Sequence, residues 1–241
     1  LLVSVSLLAA CGPRELEPDV PYDCERCTDW NQPQDPFRIY GNTWYVGTAG
    51  LSSILIETSD GLILVDGGLP QSAPLIGANI RELGFDPLDI RAIFVSHVHY
   101  DHAGGVNALQ RLSRATVYTS ENGVTTLTTG KLQADDPQYV ADSDQGSFPA
   151  AKNVVAVSDG ETVLVGETGV RAVYTPGHTS NSVTITWYSS AIGNSYDVQY
   201  ADSMTPEYAP PYSFGASGAA TTKVDRAGKV AELDSDILQS N

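Results

Sequence analysis

A short apolar run that opens directly onto clustered histidines constrains this chain more than any other feature. The run is Ala92-Ile93-Phe94-Val95-Ser96, and His97-Val98-His99-Tyr100-Asp101-His102 follows without a break. An uninterrupted apolar stretch of that length reads as a buried strand. The next amphipathic stretch puts Val106, Leu109 and Leu112 on one face, so the unit is strand, loaded loop, helix, an α/β arrangement. In an extended segment, residues two apart point the same way, and His97 and His99 can therefore offer imidazoles to one ion. The remaining histidine, His178 in Thr175-Pro176-Gly177-His178-Thr179, can complete that set from a second loop.

Three neutral imidazoles with one open position form the ligand set of a catalytic zinc ion (Zn2+), since a structural site would close the fourth position with protein. Asp101 and His102 stand at the turn into the helix, where they can face a second metal beside the first. Two such ions can share one hydroxide, a nucleophile at neutral pH. Gly104 and Gly105 remove side chains where the loop backbone must pass close to the site. Chance clustering of surface histidines is the bland explanation, and an H-x-H-x-D-H pattern joined by a glycine-bounded fourth histidine argues against it.

The rest of the chain supplies a body for this site. With 241 residues and 41% hydrophobic content it suits one large core. Strand-like runs at Thr43–Val46, Ser53–Glu57 and Leu62–Asp66, punctuated by Gly47, Gly50 and Asp60-Gly61, predict an antiparallel meander. Pro74–Leu83 carries apolar residues at helical spacing and stops at Gly84. After a polar, irregular segment from Gly130 to Pro149, short strands return at 154–157, 162–165, 170–174, 182–187 and 198–201. Two strand-rich halves with helices outside predict a sandwich of sheets.

Residues 1–11 form a short uncharged run ending in Ala10-Cys11, the pattern of part of a lipoprotein signal peptide. This predicts a lipid anchor on Cys11 and a periplasmic, membrane-anchored location. An N-terminal strand or buried helix is the other reading of that run. Residues 12–36, rich in proline and acid, suit a tether, and 37–241 form the folded domain. Cys24 and Cys27 lack the second ligand pair of a structural zinc site. In an exported protein they form a local disulfide or remain free thiols. A formal net charge of −16 opposes binding to nucleic acid, which requires a basic face.

Beyond these physical readings, His97-Val98-His99-Tyr100-Asp101-His102-Ala103-Gly104-Gly105, Leu64-Val65-Asp66-Gly67-Gly68 and Thr175-Pro176-Gly177-His178-Thr179 resemble, in order, three signatures of the metallo-β-lactamase superfamily. The opening Phe37–Gly47, His102 after Asp101, and the lack of any cysteine after Cys27 resemble subclass B3 lactamases more narrowly. The resemblance implies an αββα sandwich of two mixed β-sheets with helices on the outer faces. It implies that His97, His99 and His178 hold one zinc, that Asp101 and His102 hold another, and that Asp101, His97, His99 and His178 carry the catalysis. It places Ser203 and Thr205 on the carboxylate of a small β-lactam substrate, although both positions also suit ordinary loop capping. Asp66 becomes the buried carboxylate supporting the ligand loop, with a role in the glycine turn as its alternative.

The expected reaction is hydrolysis of the β-lactam ring amide by a metal-bound hydroxide, which confers antibiotic resistance. Two departures stand out. The subclass takes a further histidine from beyond a strand that Asp234–Leu238 resembles, and the sequence stops at Asn241, so the fold is expected to be incomplete at its C-terminal end and the second zinc site with it. Ser180-Asn181 replaces the Pro-Gly that often follows the His178 motif. The competing functions are a lactonase or a thioesterase resembling glyoxalase II, in which an aspartate near Asp202 would bridge the metals, and a zinc-binding lipoprotein without turnover.

Overall fold

The structure is a computed structural model and describes residues 16–201. Cys11, Asp202, Ser203, Thr205 and the 234–238 segment lie outside the described residues. The described elements run α1 (Cys27–Trp30), β1 (Phe37–Tyr40), β2 (Thr43–Tyr45), β3 (Ile54–Thr58), β4 (Gly61–Val65), α2 (Ala73–Glu82), β5 (Ile90–Phe94), α3 (Tyr100–Ala103), α4 (Val106–Ser113), β6 (Thr116–Ser120), α5 (Val124–Thr129), β7 (Val154–Val157), β8 (Thr162–Val165), β9 (Thr168–Tyr174), β10 (Val183–Ala191) and β11 (Asn194–Tyr200).

Strands β1 to β7 form one sheet in chain order, antiparallel as far as β4 and parallel from β4 to β7. Strands β11-β10-β9-β8 form the second. The larger sheet is mixed, and the pairings among the described strands of the smaller are antiparallel. Tight turns join β8 to β9 and β10 to β11, which makes those neighbours antiparallel, whereas the longer β9–β10 connection carries His178.

Side-chain alternation builds the layers. On β3, β4 and β5, Leu55, Leu62, Leu64 and Ile93 face helices α2, α4 and α5, where they pack with Ile76, Ile80, Val106, Leu109 and Leu127. Their neighbours Ile54, Ile56, Ile63, Val65, Ala92 and Phe94 face the second sheet and meet Val170, Ala172, Val183, Ile185 and Trp187. A strand that is apolar on both faces is thereby buried on both, which is why β5 can carry the site at its C-terminal end.

Residues 16–36, the described part of the segment expected to be a tether, lie against the body. Leu16 packs on the core beside α2, Asp19 pairs with Arg111 at 2.9 Å, and the Tyr22 ring stacks on Tyr100 at 4.0 Å. Gln71 accepts from Tyr22 N and donates to Tyr22 O. Composition foretold little periodic structure here, and apart from α1 the segment is held by isolated side chains and by single backbone bonds such as Ala49 N to Gln32 O at 2.9 Å. Cys24 and Cys27 form a disulfide.

Buried Asn79 ties α2 to this segment and to the end of β2, its Nδ2 donating to Val46 O and Gly47 O at 3.0 Å and Gln34 O at 3.1 Å. Asn79→Leu keeps the volume but strands those carbonyls, and is expected to cost about 1–3 kcal/mol of stability. Urea unfolding that finds no loss would contradict this account.

Candidate metal centre

The site assembles where β5 ends. Past Phe94 the chain leaves the strand through bends at Ser96, His97 and His99, and His99, with φ −92° and ψ 157°, precedes the short helix α3. Asp101 and His102 lie on α3. Close backbone approach sets the position of that helix: Gly67 N donates to His102 O at 2.8 Å and Gly105 N to Gly68 O at 3.1 Å. A Cβ on Gly105 would fall 2.2 Å from Gly67 O, so the glycine expected from the sequence is sterically required.

The second loop brings in His178. Val183 N donates to Ser96 O at 2.7 Å, and Asn181 Oδ1 accepts from Val98 N, between the two motif histidines, at 3.0 Å. The Asn181 carbonyl in turn accepts from Ser120 Oγ at 2.8 Å. Asn181 belongs to the stretch that departs from the usual Pro-Gly, and its amide is what couples the two ligand loops.

The result is a tight group of imidazoles. Ring centroids of His97, His99 and His178 are 4.7–5.0 Å apart, His178 Nε2 is 3.2 Å from His99 Nδ1, and all three residues are buried. One ligand atom from each lies within 4.8 Å of the others. His97, Asp101 and His102 form an adjoining group of the same kind. The chemistry of this donor set fits a metal: three buried nitrogens converge on one point, with a carboxylate and a fourth imidazole beside them.

Asp66 holds the outer part of the site. It is fully buried and adopts a left-handed φ of 59°, uncommon for a residue with a side chain. Its carboxylate accepts from Ser96 N at 2.7 Å and Ser96 Oγ at 2.6 Å, from His102 Nδ1 at 2.7 Å and from Tyr200 Oη at 2.8 Å. With Nδ1–H donating to Asp66, the other ring nitrogen of His102, Nε2, faces Asp101 Oδ2 at 3.6 Å. Asp66 thus sits in the glycine turn and is hydrogen-bonded to His102.

Sequence reasoning passed over Asp136 and Gln138. Both come from the irregular 130–149 segment, where Asp136 reaches His99 Nε2 and Gln138 Nε2 approaches His99 Nδ1 at 3.3 Å. Lys131 and Asp144 pair at 2.8 Å across the same segment. That bond holds the lysine pKa above and the aspartate pKa below their ordinary values, both at exposed positions.

A family model described as the metallo-beta-lactamase superfamily matches residues 47–190, more than half of the chain. The chain belongs to that superfamily. Among solved structures of the superfamily, Rm3 metallo-beta-lactamase is 40% identical with a TM-score of 0.76, covering 87% of this chain and 78% of its own. MEM-A1, a subclass B3 metallo-beta-lactamase from a soil metagenome library, is 44% identical with a TM-score of 0.74, covering 83% of this chain and 75% of its own. A more distant relative, an N-acyl homoserine lactonase from Bacillus thuringiensis, is 24% identical over 76% of this chain and 77% of its own length. The matched range includes His97, His99, Asp101, His102 and His178, the residues that gather in the structure. The chain is a metallo-β-lactamase-fold hydrolase acting on small molecules.

Proposed function

We propose that this hydrolase is zinc-dependent and opens the amide of β-lactam rings. The observation that carries the reading is the 40–44% identity to β-lactamases over more than four fifths of the chain, set against 24% to the lactonase. His102 at the position after Asp101 supports it, since it offers the second group a nitrogen donor where the chain has no cysteine after Cys27. In this proposal His97, His99 and His178 hold one zinc and Asp101 with His102 a second. When bound, zinc supplies Lewis acidity and draws the pKa of coordinated water towards neutrality.

The chain's own residues do the rest. Asp66 accepts a hydrogen bond from His102 Nδ1–H and so keeps Nε2 as the nitrogen that would coordinate. Asn181 keeps the His178 loop in register with His97 and His99. Ser203 and Thr205 receive the substrate carboxylate. Antibiotic resistance follows from turnover in the periplasm, and the Cys24–Cys27 disulfide supports an oxidising compartment. Attachment through a lipid on Cys11 belongs to the same proposal and is checked by the mass of the membrane-extracted protein.

The test is a side-by-side assay of zinc-loaded protein on a penicillin, a carbapenem, an acyl-homoserine lactone and a thioester. Faster turnover of at least one β-lactam than of the lactone or thioester is expected. Rapid lactone cleavage with inert β-lactams would instead support the second reading, which the lactonase similarity favours.

A further inference from the structure

We propose that Asp136 is a positioning residue that fixes the tautomer of His99 and clasps the 130–149 segment to the metal centre, coupling metal loading to order in that segment. The inference rests on His99 being a metal ligand. Both Asp136 carboxylate oxygens lie 3.1 Å from His99 Nε2, and the two side chains are almost completely buried, at 1% and 4% exposure. A neutral imidazole has one N–H and one lone pair. A buried carboxylate is an acceptor, so it takes the N–H at Nε2 and leaves the lone pair at Nδ1. That is the nitrogen 3.2 Å from His178 Nε2, inside the imidazole group.

The carboxylate is itself framed by a turn. Asp136 Oδ1 accepts from Gln138 N at 2.8 Å, Asp136 N donates to Gln133 O at 2.9 Å, and Tyr139 N donates to Asp136 O at 3.0 Å. Between Gln133 and Gln145, Asp136 is the one buried residue. This stretch therefore has a single deep anchor, and the anchor is a metal-site histidine. A cation on Nδ1 draws electron density from the ring and strengthens donation from Nε2–H to Asp136. Linkage is reciprocal: if the metal tightens the anchor, an intact anchor must tighten metal binding by the same factor.

The experiment compares wild type, Asp136→Ala and Asp136→Asn by zinc competition against a chromophoric chelator. Amide hydrogen exchange over residues 130–149 is followed in parallel, with zinc and with a chelator. Asp136→Ala should weaken zinc binding by about 10–100-fold, while Asp136→Asn, which keeps an oxygen acceptor, should recover most of the loss. Zinc should slow exchange across 133–139 in wild type but not in Asp136→Ala, leaving the 158–161 turn unaffected in both. Circular dichroism of the zinc-free variants separates misfolding from loss of the anchor. Wild-type affinity in Asp136→Ala, or zinc protection of 133–139 that persists in that variant, overturns the proposal. If the alanine variant does not fold, a folded Asp136→Asn without zinc affinity, or wild-type exchange that zinc leaves unchanged, overturns it equally. Absence of zinc uptake by wild type overturns the metal reading beneath it as well.

Discussion

His178→Ala should lower kcat/KM for a β-lactam substrate by roughly 10³-fold or more, because a catalytic metal supplies several kcal/mol of transition-state stabilisation and about 1.4 kcal/mol is a factor of ten. Zinc content should fall with it. His178 is the informative choice among the three imidazoles. It is the one histidine of the set that comes from the second loop, so its loss tests whether two separated loops share an ion. His99→Ala would also strip a donor from buried Asp136, mixing a folding cost with the catalytic one. The His178→Ala fold should survive, with the metal-free melting temperature within about 4 °C of the metal-free wild type, since a 1 kcal/mol change moves a domain of this size by about 2–4 °C. Retained zinc and undiminished turnover would remove His178 from the centre.

The second large effect is on stability. Asp66→Ala removes the acceptor for four donors in a fully buried position, from Ser96, His102 and Tyr200. Breaking a buried charged network of this kind costs about 3–5 kcal/mol, and at about 2–4 °C per kcal/mol the midpoint should drop by roughly 6–20 °C. Calorimetry of the zinc-free protein isolates this from metal loss. Asp66→Asn is the informative companion: asparagine tolerates the left-handed φ of 59° but presents an NH2 to donors that need an acceptor. If Asp66→Asn kept full stability, backbone geometry and not the carboxylate would be the reason for an aspartate there. Should both variants melt with wild type, Asp66 does not hold the ligand loop.

What could be read along the chain was whatever repeats locally. The apolar runs at 53–57 and 62–66 announced strands, and strands are found there; the structure then puts Leu55, Leu62 and Leu64 on one side of the sheet and Ile54, Ile63 and Val65 on the other. The two-residue spacing of His97 and His99, and the glycines that let Gly105 pass Gly67, are equally local. These features follow from backbone geometry that each short segment carries with it.

The partners of those residues were another matter. Asp136 lies 37 positions from the histidine it touches, in a stretch with no hydrophobic period, and Asn181 lies 83 positions from Val98. Nothing in their neighbourhood marks them, because a hydrogen bond between distant loops leaves no trace in either loop's spacing. The docking of residues 16–36 is hidden for the same reason, its contacts being single side chains such as Tyr22 on Tyr100. Local sequence pattern thus specified the scaffold and the juxtaposition of His97 with His99, whereas long-range packing brought in His178 and selected the groups that contact these imidazoles.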